Sequence, residues 1–68
     1  MDLNFLRAEI ARLRTQVRYQ RRDIQTLSRA GLSTASAEDL LARMESRIDE
    51  LCEKRDRKVG ELKISGAR

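Results

Sequence analysis

Residues 12–22 read RLRTQVRYQRR, five arginines with no acidic residue among them. A guanidinium is a planar fork of donors that pairs well with phosphate or carboxylate oxygens. Two chemistries suit such a stretch: tracking a nucleic-acid backbone, or docking on an acidic protein surface. A solvated helix face with ion pairs inside the chain is the plain alternative. Extended along the chain, the candidate partner- or phosphate-binding set is Arg7, Arg14, Arg18, Arg21, Arg22 and Arg29. Other reactive residue types are sparse. Cys52 is the lone thiol and the chain has no histidine, so no base stands ready for it and no zinc site is expected. It reads as a small buried hydrophobe. Asp49, Glu50 and Glu53 read as a solvated acidic face. No Gly-rich phosphate loop and no nucleophile–base pair is present, so neither catalysis, a cofactor nor a metal is expected.

The elements that carry the arginines are set by apolar spacing. Leu3, Leu6, Ile10, Leu13, Val17, Gln20, Ile24 and Leu27 follow one another at alternating steps of three and four. This is an unbroken heptad with Leu3, Ile10, Val17 and Ile24 at a, and Leu6, Leu13, Gln20 and Leu27 at d. The first helix is placed at about residues 2–30. Gly31 follows as a left-handed terminator and Leu32 can fold back on Leu27. The turn takes residues 31–35. Ser33, Thr34 and Ser36 each offer an N-cap, with Ser36 and Asp39 spaced as a capping box. The second helix is expected over 36–62, followed by a frayed tail at 63–68, because Gly60 weakens the last turns.

The seam of the second helix is Leu41, Met44, Ile48 and Leu51, continued by Val59 and Leu62. Strict heptad counting also turns Arg55 and Lys58 inward and leaves Cys52 beside the seam. The short connection returns the helices antiparallel. A register centred near Ser33 brings Arg21 near Glu45, Asp23 within reach of Arg47, Ile24 near Leu41 and Met44, and Leu6 opposite Leu62. Arg55 is expected to reach past Leu13 toward Glu9. Gln20 either fixes register and oligomeric state or sits partly wet at an edge. A parallel zipper of helix one with its own copy competes with the hairpin, since β-branched residues at a and Leu at d suit it.

Sixty-eight residues are few for a self-sufficient core, which below about 70–80 residues rarely supplies more than about 3–5 kcal/mol. One cysteine excludes an internal disulfide, so self-association is the expected staple. The fold class is therefore all-α: an antiparallel helical hairpin of coiled-coil type, one domain over 1–68, dimerising into a four-helix bundle. No apolar run exceeds three residues, so no membrane span is expected. With no basic leader and a single thiol, a cytoplasmic setting is expected, and twelve Arg to three Lys suits a GC-rich bacterial source.

In heptad letters Arg7, Arg14 and Arg21 fall at e, Arg18 at b, and Arg22 and Arg29 at f. These positions adjoin, giving a ridge about 33 Å long at 1.5 Å per residue. Residues 1–35 carry seven basic and three acidic groups, while 36–68 carry eight of each, so the whole net charge of +4 lies in the first helix. Phe5 and Tyr19, the only aromatics, lie off the ridge at c, poorly placed to stack on bases. LRAEIARLR (residues 6–14) is similar to the opening helix of the all-helical chorismate mutases. That resemblance covers one amphipathic stretch in a chain shorter than their domain. In size and plan the chain is also similar to the small hairpins that form four-helix bundles, such as the RNA-binding repressor-of-primer family. The expected function is a non-catalytic, self-associating regulatory or adaptor module acting by protein–protein binding, with an acidic protein as its outside partner. The alternative is a dimer that binds RNA or DNA backbone through the arginine ridge.

Overall fold

A computed structural model describes residues 2–66, with side chains through residue 63. Helix α1 spans Leu3–Arg29 and helix α2 spans Ala35–Gly66. Both ends of α1 are closed by local chemistry. Asp2 is extended (φ −86°, ψ 168°) and its carboxylate accepts the Phe5 N–H at 2.7 Å, satisfying a donor the helix cannot. At the other end Gly31 takes φ +74°, Leu32 N–H donates to the Leu27 carbonyl at 2.9 Å, and Gly31 N–H donates to Ser28 at 3.0 Å. This crossed pair is the Schellman termination. The Leu32 side chain remains 60% exposed, so the accompanying apolar contact covers little of it.

Helix α2 starts one residue earlier than its spacing implied. Glu38 N–H donates to the Thr34 carbonyl at 2.9 Å, which makes Thr34 the N-cap. Ser36 already lies inside the first turn, so the Ser36–Asp39 capping box is displaced. The far end also differs: the helix continues through residues 63–66, where a frayed tail was expected. Residues 67 and 68 of that tail lie outside the described residues. Gly60 is accommodated inside the helix, where Lys58–Glu61 and Arg57–Glu53 pairs at 3.9 and 3.7 Å brace the neighbouring turns.

The helices run antiparallel and pack along their length, and this hairpin engages the a/d stripe of α1 that a parallel zipper would need. Arg21 meets Glu45 at 3.9 Å and Arg14 Nη2 lies 4.0 Å from Cys52 Sγ, so facing positions add to 66, the register expected from the turn. The result is a rod of 59 × 16 × 15 Å. Its radius of gyration is 16.4 Å, against about 11 Å for a compact domain of this length.

The core sits toward the end distant from the turn. Leu6, Ile10, Leu13 and Leu51 form its centre, with Ile48 and Cys52 packed against it. Val17 is the fifth buried side chain. Leu3, Gln20, Ile24, Leu27, Leu41, Met44, Ile48 and Val59 are only half-buried. Leu62 is 53% exposed and does not join Leu6 in the cluster, because it lies level with the first turn of α1 where little helix remains to cover it. Arg55 and Lys58 are half-buried, as their seam positions require. Arg55 pairs with neighbouring Asp56 at 3.2 Å instead of reaching Glu9, and Arg47 pairs with Glu50 at 3.1 Å instead of Asp23. In each case the nearer acid costs less side-chain ordering.

Candidate interaction surface

One continuous helix carries Arg7, Arg14, Arg18, Arg21, Arg22 and Arg29, so their e, b and f positions do share one side of α1. All six are exposed. Of the six only Arg21 is ion-paired among the described residues, to Glu45 at the outer limit of a salt bridge. Arg12, which belongs to the same RLRTQVRYQRR stretch, projects from c instead and is held by Glu9, with Nε 3.2 Å from Oε2. The stretch is thus divided: four arginines on the ridge, one spent within its own helix.

The Glu9–Arg12 pair has an electrostatic signature. The hydrogen bond from Arg12 holds the Glu9 carboxyl below the usual carboxylate range, against the opposing effect of desolvation, with the charges of Arg12 and Arg47 adding to the lowering. The same bond raises the Arg12 guanidinium. Glu9 sits on the opposite side of α1 from the e arginines, so it does nothing to neutralise them.

Beside the ridge, the line where α1 and α2 meet opens into a groove of about 390 Å³. Its floor is Val17 and Ile48. One bank is basic, with Arg14, Arg18 and Arg21, and the other acidic, with Glu45 and Asp49. Asp49 was grouped by sequence with Glu50 and Glu53 as a solvated acidic face. The structure separates them: Glu50 pairs with Arg47 and Glu53 with Arg57 on α2 itself, while Asp49 lines the groove without an ion pair among the described residues. The signal that would have found it is the hairpin register, which sets Asp49 level with Arg18. Cys52 is a half-buried free thiol between the core and Arg14. No three His, Cys, Asp or Glu side chains converge on a metal position among the described residues.

A shorter groove of about 350 Å³ lies on the opposite face, between Leu6 and the basic side chains of Lys54, Arg57 and Lys58. Among the described residues no helix is long and apolar enough to cross a membrane. The fold and surface define a class, the amphipathic helical hairpin with charged grooves along the line where its helices meet. Beyond that class, no family model, curated protein or solved structure matches the chain.

Proposed function

We propose that this chain is a non-catalytic, self-associating helical hairpin that works by binding, as a small cytoplasmic regulatory or adaptor module. The observation that carries the reading is the incomplete cover of its apolar stripe. Eight of the fourteen seam residues are only half-buried and Leu62 is mostly exposed. Accessible surface points the same way: the chain exposes 5375 Å², against about 4,400 Å² for a compact monomer of this mass. The excess, about 1,000 Å², is comparable to the roughly 800 Å² that each partner buries in a standard interface. Assembly supplies the staple that neither a disulfide nor a metal provides. Sedimentation equilibrium at micromolar concentration should give twice the chain mass. A fully helical monomer there would contradict the reading.

A second reading is favoured by one observation, that Arg7, Arg14, Arg18, Arg22 and Arg29 have no ion-pair partner among the described residues. A ridge of unpaired arginines suits a phosphate backbone. On that reading binding to mixed RNA and DNA weakens with salt at a log–log slope of about −4 to −5. Arg22→Gln and Arg29→Gln, both outside the groove, together weaken it sharply without loss of helicity. No binding at about 0.1 M salt would leave the protein-binding reading in place.

A further inference from the structure

The charges around the larger groove specify how a second copy is seated. This inference rests on the self-association proposed above. Arg18 and Asp49 face each other across the floor of Val17 and Ile48, and neither has an ion-pair partner among the described residues. Arg21 and Glu45 beside them meet only at 3.9 Å, with both side chains about half exposed. The opposite face settles most of its charge inside each helix, through Glu9–Arg12, Arg47–Glu50 and Lys58–Glu61. Its exposed aromatics, Phe5 and Tyr19, are two heptads apart and scattered singly, which is ordinary for a surface. Among the described residues, one unpaired charge of each sign, Arg18 and Asp49, thus flanks the apolar floor of this groove.

Two symmetric ways exist to lay this face on its copy. A two-fold axis across the rod puts α1 on α1 and α2 on α2, so basic bank meets basic bank and acidic meets acidic. An axis along the rod puts α1 of each copy on α2 of the other, at unchanged height. The register of 66 then repeats between copies. Arg18 lies over Asp49 of the second copy, Arg21 over Glu45, and the two floors of Val17 and Ile48 close on each other. Opposite charges placed face to face favour this partner arrangement, and like charges penalise the other.

We infer that the Val17–Ile48 groove is the dimer interface of this protein, occupied by a second copy whose two-fold axis runs along the rod, with both turns at the same end. Isologous closure of this kind leaves no free copy of the surface and stops at two. The inference divides the arginine ridge. Arg14, Arg18 and Arg21 belong to the dimer, while Arg22 and Arg29 at f remain on its outside.

Two readouts test the geometry. Ser33→Cys in a Cys52→Ser background places one spin label on each turn, far from the groove. With neighbouring helix axes about 8–10 Å apart, the label distance should be roughly 15–30 Å. A distance of about 40 Å or more, set by the length of a 27-residue helix, means turns at opposite ends and overturns the inference while leaving dimerisation intact. A chain-mass monomer without dipolar coupling overturns both it and the reading beneath it. The second readout fixes the face. Arg18→Glu and Asp49→Arg should each weaken self-association by about tenfold or more, while an equimolar mixture of the two forms a heterodimer in which both cross-copy pairs are restored. Wild-type dimer affinity in either single variant, at unchanged helicity, would place the interface elsewhere.

Discussion

Gln20, Arg55 and Lys58 are the polar residues that interrupt the apolar stripe, and each is settled locally, the two cations by Asp56 and Glu61 on their own helix. The Gln20 side-chain amide donates to the Ala37 carbonyl at 3.1 Å, tying α1 to the first turn of α2 beside the connection. That bond is made within one chain and needs no symmetry mate. Because Ala37 also lies in the α2 ladder, losing the bond leaves no orphaned carbonyl. Gln20→Leu therefore exchanges about 1 kcal/mol of hydrogen bonding for a similar gain in apolar burial, and thermal stability should move by less than about 1 kcal/mol. A loss of several kcal/mol would show Gln20 to be an obligatory clamp. Leu51 is the opposite case, with no exposed surface. Leu51→Ala should cost about 2–4 kcal/mol in a denaturant titration, and a loss below about 1 kcal/mol would contradict the packing described. At Glu9, removing the donor by Arg12→Gln should raise the carboxyl toward its ordinary value, read by carbon NMR titration. Because its folded value is lowered, the pair stabilises above the unfolded carboxylate pKa and that contribution is lost as pH falls through the folded one. An unmoved titration in the variant would remove Arg12 as the cause.

At the scale of elements, what the sequence made legible was what local chemistry decides. The heptad of α1 leaves one face to bury, and Gly31 is the residue best suited to a left-handed terminator, so helix, stop and register were readable. The start of α2 was not, because Ser33, Thr34 and Ser36 offer near-equivalent oxygens and the path of the turn chooses among them. Its end was misread because a helical glycine costs only about 1 kcal/mol, which flanking i,i+3 and i,i+4 pairs offset. The two glycines should respond oppositely to the same change. An added Cβ meets nothing within 4 Å at either Gly31 or Gly60, so backbone conformation alone decides. Gly31→Ala, at φ +74°, should destabilise by about 1 kcal/mol. Gly60→Ala should stabilise by about 0.5–1 kcal/mol. Paired thermal melts check this, and shifts of the same sign would contradict the backbone account. The ridge was legible too, since a continuous helix fixes which arginines adjoin. Its acidic counterpart at Asp49 was hidden, because three neighbouring acids on α2 look alike until the register assigns one of them to the groove.

The whole molecule is a rod two helices wide, and that shape limits what it can bury. A pair of helices covers one stripe from one side only, so Ile24, Leu27, Leu41, Met44 and Ile48 stay half-open although each sits where a core residue should. The same cross-section places a basic and an acidic bank on either side of an apolar floor, so one face is both incompletely covered and complementary to itself. We propose that folding of this rod is completed by a second copy. Such completion is tested most directly by the melting temperature measured over about a thousandfold range of protein concentration, because association confined to the folded state raises apparent stability by mass action. A fold completed by dimerisation gives a melting temperature that climbs steadily with concentration and a helical signal that falls on dilution. A melting temperature independent of concentration, with full helicity at the lowest, would contradict it.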